Sequence, residues 1–258
     1  MPDKIDPPHA TGQASKTVEK HSAKDSLVFH SGWFCPFVQR VWIALEERGI
    51  AYEYREVDPY KKEPHFLAIN PKGLVPALEH DDKALYESLV LLEYLEDAFP
   101  STNPLRSSDP HENGIYRLAA AQVSNVLVPS YYKLLQSQSP SEQSSAKEAF
   151  VNAFKDVYEQ WFVKDESAEW SRGNKFGLLD CAIAPWIVRL GILVEYRGFE
   201  VKELGEGLEG YVGRVLERKS VKDTTSDKEA YKSVYQRYLN NTAESEVAKA
   251  TRKGEWLK

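Results

Sequence analysis

The sequence predicts two domains in tandem, a compact α/β unit followed by an all-helical one. Between residues 27 and 98, short strand-like runs are interleaved with 3.6-period apolar stripes in the order βαβαββα. After the stretch Phe99-Pro100-Ser101-Thr102-Asn103-Pro104, whose composition is that of a linker, only helical periodicity is found. A chain of 258 residues, 42% hydrophobic and 28% charged, is long enough to give each of two domains its own core. The predicted division is a disordered tail over 1–24, an α/β domain over 25–101, a linker over 102–112 and a helical domain over 113–258.

Each element has a local reason. Residues 1–24 are rich in Pro, Lys, Ser and Thr and carry no apolar period, which is why they read as a mobile tail. Leu27-Val28-Phe29 reads as a strand and Ser31-Gly32 as a turn. Pro36 then opens a helix to Arg48, with Val38, Val41, Trp42 and Leu45 on one stripe and Gly49 as its stop. Residues 52–57 alternate as a strand. Pro64 begins a short helix that ends before Asn70-Pro71. Residues 75–79, the turn Asp81-Asp82 and residues 84–86 read as a hairpin. Ser88 is the predicted N-cap of a helix over 89–98. Further helices are predicted near 113–136, 145–163, 180–195, 207–218, 227–240 and 243–252. Pro129 should kink or break the first of these, and Pro185 should bend the third. The helix begins sharply at Gly177-Leu178-Leu179-Asp180, where Asp180 can reach back to the Gly177 amide, half of a capping box.

Composition narrows the function classes. The net charge of −6, with Lys and Arg spread along the chain, leaves no basic footprint for nucleic acid. No run approaches the ~18 apolar residues of a membrane span. The polar N-terminus has no apolar core of a secretory leader, so the expected location is cytoplasmic. Two cysteines do not make a disulfide framework. The six histidines are scattered without ligand spacing, so no metal is expected.

Cys35 is the residue with the most chemistry. It falls at the N-cap of the helix opened by Pro36, facing unpaired backbone N–H groups and the positive end of the helix dipole. A thiolate is favoured there, and the thiol pKa is expected to fall below its free value. Val38 occupies the position where a dithiol oxidoreductase carries its second cysteine, so Cys35 reads as a reactive thiol without a resolving partner. Cys181, inside Cys-Ala-Ile-Ala-Pro-Trp, reads as core.

The run Phe34-Cys35-Pro36-Phe37-Val38-Gln39-Arg40-Val41, with Asn70-Pro71-Lys72-Gly73-Leu74-Val75-Pro76-Ala77-Leu78-Glu79 and Tyr86-Glu87-Ser88, resembles the omega class of cytosolic glutathione transferases, in its fungal form. The run Asp180-Cys181-Ala182-Ile183-Ala184-Pro185-Trp186 adds to the likeness, while Gly177 departs from the Ser or Thr N-cap usual there. The resemblance implies a thioredoxin-like domain followed by an all-helical domain. It also implies glutathione as co-substrate, a cis Val75–Pro76 bond and a homodimer. By the same resemblance Phe34, Val75, Pro76, Glu87 and Ser88 bind glutathione, and a lysine before Pro64 meets its glycyl carboxylate. Lys62 is preferred there and Lys61 is the alternative. Tyr131, Tyr132, Trp186, Arg189 and Tyr235 are the candidates to line a pocket for a small hydrophobic or oxidised acceptor. The implied activity is thiol transfer and reduction through a Cys35–glutathione mixed disulfide, acting on glutathionylated thiols, dehydroascorbate or glutathionyl conjugates. The rival readings are a non-catalytic carrier of hydrophobic ligands and a membrane-inserting relative of the chloride intracellular channel type.

Overall fold

The computed structural model describes residues 4–100, 103–165 and 167–255. Residues 101 and 102, where the sequence places the boundary between its two domains, lie outside the described residues, as do residues 1–3 of the expected tail. The chain forms two compact units, one running to Arg106 and taking back Glu217–Ser233, the other made of Ser107–Leu216 and the residues from Val234 onward.

The first unit begins with a departure from expectation. Gly12–Lys20 is not a disordered tail but helix α1. Its sequence hides this because it buries only Ala14 and Thr17, too little for an apolar stripe. Its partners come from far along the chain: the Thr17 hydroxyl donates to the Asp223 carbonyl at 2.6 Å, and Thr11 N–H donates to Ser226 Oγ at 3.1 Å. Next come β1 (Leu27–Ser31), α2 (Pro36–Arg48), β2 (Glu53–Glu56), α3 (Pro64–Ile69), β3 (Ala77–His80), β4 (Lys83–Tyr86) and α4 (Ser88–Ala98). The strands form one mixed sheet in the order β2-β1-β3-β4, with β1 parallel to β2 and antiparallel to β3. Strand β1 is central and buried along its whole length, which requires cover on both faces. Phe29, Tyr54 and Leu78 share a register and hence one face, where Trp42 of α2 meets Tyr54 at 4.9 Å between ring centroids. On the other face Phe66 and Ile69 of α3 pack with Val57 and Ala77. The β3–β4 turn holds Asp81 and Asp82 at φ of 48° and 63°, the left-handed pair that a two-residue hairpin loop needs.

The returning segment carries α11 (Lys219–Asp223), and its side chains explain why it belongs to this unit. Arg218 forks onto Glu47 with two 2.7 Å bonds, and Gln39 Nε2 donates to the Thr224 carbonyl at 3.1 Å. No sequence pattern in the first domain announces this.

The second unit is helical: α5 (Pro110–Gln122), α6 (Val128–Gln136), α7 (Pro140–Trp161), α8 (Leu178–Val188), α9 (Leu190–Arg197), α10 (Glu206–Glu217), the end of α12 (Lys228–Leu239) and α13 (Glu246–Lys253). Pro129 acts as expected, though by widening rather than kinking: a π turn at Val123–Leu127 separates α5 from α6 and removes the clash of the proline ring with the preceding turn. The predicted helix over 180–195 is two helices, divided at Arg189. Asp180 accepts from Gly177 N–H at 2.8 Å, as its position predicts, and also from Ser171 N–H at 3.0 Å and the Tyr211 hydroxyl at 2.8 Å. Among the described residues no helix is long and apolar enough to cross a membrane.

Candidate active site

Cys35 stands at the N-cap of α2, with φ −83° and ψ 122°, and Pro36 supplies the first helical residue. Its own N–H donates to the Gly32 carbonyl at 2.9 Å, which closes the turn between β1 and α2. Its side chain makes no capping hydrogen bond to the first turn of α2. The thiol is half-buried, and Sγ lies 3.8 Å from the Val75 carbonyl oxygen. Val75–Pro76 is a cis peptide, in agreement with what the resemblance implies. Phe34 packs over Gly32, where an added Cβ would lie 3.1 Å from its ring and 3.6 Å from a Val75 methyl group. Phe34, Cys35, Val75 and Pro76 are therefore brought together at the C-terminal end of β1.

The loop before Val75 is held by Asn70, which sequence reasoning quoted but gave no role. Asn70 is buried; its Nδ2 donates to the Leu74 carbonyl at 2.8 Å, and its Oδ1 accepts from Lys72 N–H at 3.1 Å. Gly73 turns the loop at φ 63°, and a Cβ there would lie 3.0 Å from Lys62 Nζ. Lys62 therefore lies along this loop.

At the start of α4 the N-cap is Glu87, not Ser88. Ser88 is the first helical residue, and its buried hydroxyl accepts from the Arg40 guanidinium at 3.3 Å instead of capping the helix. Glu87 has φ 77°, a left-handed conformation that is uncommon outside glycine and recurs where a side chain is held for function. Its exposed carboxylate accepts from Lys72 Nζ at 2.8 Å, and this bond raises the Lys72 pKa. Arg40 and Lys72 are thus two site-bordering cations that the sequence reading missed. Arg40's position on the buried side of α2, an unusual place for an arginine, was the available signal.

Beneath the Cys35 turn lies a partly buried carboxyl group, that of Glu56. Glu56 Oε1 accepts from Trp33 N–H at 3.1 Å, and its Oε2 accepts from the Tyr54 hydroxyl at 3.2 Å. Burial pushes its pKa up to about 7, against the pull of the Trp33 and Tyr54 hydrogen bonds.

With this geometry, residues 30–104 match the family of glutathione S-transferase N-terminal domains. The chain is similar to glutathione transferase Omega 3C of Trametes versicolor, at 47% identity and a TM-score of 0.84, over 92% of this chain and 100% of that one. The chain belongs to the omega-class glutathione transferases. It is also 30% identical to mouse (Mus musculus) glutathione S-transferase omega-1 over 71% of this chain and 77% of that protein. A rice glutathione transferase solved in complex with glutathione is 27% identical, with a TM-score of 0.73, over 82% of this chain and 97% of that one. The thioredoxin-like sheet followed by helices is the fold of this family.

In this glutathione transferase the five residues expected to line an acceptor pocket are all buried. Tyr131, Tyr132, Trp186, Arg189 and Tyr235 are each 2% exposed or less. Arg189 is an interior group: its Nε donates to the Tyr235 hydroxyl at 2.7 Å, one of its terminal nitrogens donates to the Pro185 carbonyl at 2.7 Å, and its own carbonyl accepts from the Tyr131 hydroxyl at 3.2 Å. Tyr132 packs edge-on against Tyr131 at 5.4 Å between ring centroids. These side chains pack against one another, and the buried guanidinium donates to carbonyl and hydroxyl groups. Burial raises the Tyr131 hydroxyl pKa well above its usual value, so it acts as a hydrogen-bond donor.

Proposed function

We propose that this glutathione transferase is a thiol transferase and reductase whose nucleophile is Cys35. The observation that carries the reading is the placement of this thiol at the N-cap of α2, where it makes no capping bond of its own, beside the Val75 carbonyl and with Val38 at the resolving position. The Cys35 thiolate attacks the glutathionyl sulfur of a mixed disulfide. The new Cys35–glutathione S–S bond forms as the old one breaks, and the acceptor leaves as a thiolate. A second glutathione thiolate then attacks the glutathionyl sulfur, releasing oxidised glutathione and returning the Cys35 thiolate. The second thiol must come from solution, because a valine side chain cannot close a disulfide with Cys35.

The residues around the thiol suit the tripeptide. Val75 offers backbone groups for strand-like pairing with the cysteinyl unit, and Phe34 and Pro76 keep the thiol's surroundings apolar. Glu87 takes the α-amino group, the Ser88 N–H and hydroxyl take the α-carboxylate at a helix start, and Lys62 takes the glycyl carboxylate. Dehydroascorbate and glutathionyl conjugates are the expected acceptors. A cytoplasmic homodimer completes the reading, and sedimentation velocity checks the dimer.

The test is intact-protein mass spectrometry after exposure to oxidised glutathione, with thiol-transfer activity measured in parallel. The wild-type protein should gain a single glutathionyl group, removable by reduced glutathione, and Cys35→Ser should neither gain it nor transfer thiols. Undiminished transfer in Cys35→Ser overturns the assignment.

A further inference from the structure

The fold also assembles three metal-ligating side chains that the sequence keeps far apart. His30 of β1, His65 of α3 and Glu79 of β3 each offer one ligand atom, and these atoms all lie within 4.8 Å of one another. The sheet register explains the meeting. Val28 pairs with Glu79 and His30 with Ala77, so His30 and Glu79 project from the same face, the one covered by α3. His65 Nε2 lies 3.1 Å from Glu79 Oε2. A second and independent feature points to a ligand: His30 is 1% exposed, and its Nε2 is buried without a hydrogen-bond partner. A buried polar atom left unsatisfied is uncommon in a folded protein and calls for an explanation.

We propose that His30, His65 and Glu79 form a three-ligand site for a borderline divalent transition-metal ion, Zn²⁺ foremost. Two imidazoles and one carboxylate are a zinc-type donor set, with a fourth position left for water. Ligand atoms bound at about 2.0–2.1 Å around a tetrahedral ion stand roughly 3.3 Å apart; His65 and Glu79 already stand at 3.1 Å, and the remaining separations, within 4.8 Å, need only a small contraction about the ion. His65 and Glu79 are solvent-accessible and provide the entry path, whereas His30 anchors the ion from beneath. Arg55, whose position on β2 pairs with His30, is itself ion-paired with Glu53 at 2.7 Å, which offsets its repulsion of a cation. An ion here ties α3, which follows Lys62, to the two strands that flank the Cys35 turn. The three ligands come from positions 30, 65 and 79, so a search for short ligand spacing overlooks them.

The experiment uses the full chain carrying Cys35→Ser, so that the reactive thiol cannot supply a ligand. After chelator treatment, Zn²⁺ is added and the ion retained through gel filtration is counted by elemental analysis. Co²⁺ is then substituted to read coordination from its visible bands. Retention of a single equivalent, four-coordinate Co²⁺ bands, and at least about tenfold weaker binding in both His65→Ala and Glu79→Gln are expected. Both substituted side chains reach solvent, so the variants should keep the wild-type circular dichroism. No retained ion, or binding that survives both substitutions, overturns the proposal. So does binding that is lost instead in His111→Ala, which would place the ion at the exposed Asp109-His111-Glu112 cluster.

Discussion

Replacing Glu56 by glutamine should remove much of the loss of stability that this protein suffers between mildly acidic and mildly basic pH. The carboxyl group is partly buried under the Cys35 turn, and desolvation raises its pKa from 4.5 to about 7. In the unfolded chain it gives up its proton near the ordinary value, so between the two values the folded state holds more protons. Stability contributed by this group is therefore present at low pH and falls as pH rises from about 4.5 to about 7. A separation of about 2.5 pH units corresponds to roughly 3 kcal/mol at about 1.36 kcal/mol per unit. The amide of the Glu56→Gln variant does not ionise, yet its oxygen can still accept from Trp33 N–H. Urea unfolding of wild type and Glu56→Gln at about pH 5 and pH 8 measures the difference. At about pH 5 the unfolded chain has already lost part of this proton, so the wild-type protein should lose roughly 2.5 kcal/mol more than the variant between those conditions. If both proteins change in parallel, Glu56 does not titrate in this range and the electrostatic account of the turn is wrong.

Two further substitutions probe the site. Asn70→Ala removes an acceptor for Lys72 N–H and a donor to the Leu74 carbonyl in a buried setting, and should cost about 1–3 kcal/mol in urea unfolding while raising KM for glutathione more than it lowers kcat. Val38→Cys places a second thiol at the resolving position of α2, and mass spectrometry should show an internal disulfide replacing the glutathionyl adduct on Cys35. Persistence of the adduct at wild-type level would mean that the first turn of α2 does not let the two sulfurs meet.

The elements of the first unit were legible because each has a local cause. Pro36 and Gly49 bracket α2, Pro64 opens α3, and Asp81-Asp82 makes the hairpin turn, all through backbone preferences that act within a few residues. The same locality placed Cys35 at a helix N-terminus. It failed for α1, where two small buried residues gave no periodic signal, and for Ser88, whose hydroxyl is drawn away from capping by Arg40. For the aromatic residues of the helical unit, periodicity identifies a buried face but not whether that face meets a ligand or a neighbouring helix.

Sequence by itself therefore determined where the Cys35 thiol sits and the order of strands and helices, because caps, turns and apolar periods are written in neighbouring residues. Only the tertiary structure decided which distant groups share a space. It set Glu56 beneath the Cys35 turn and Arg40 against Ser88, sank Arg189 among tyrosines, and brought His30, His65 and Glu79 within 4.8 Å of one another. Those meetings depend on strand register and helix packing, which are long-range properties of the folded chain.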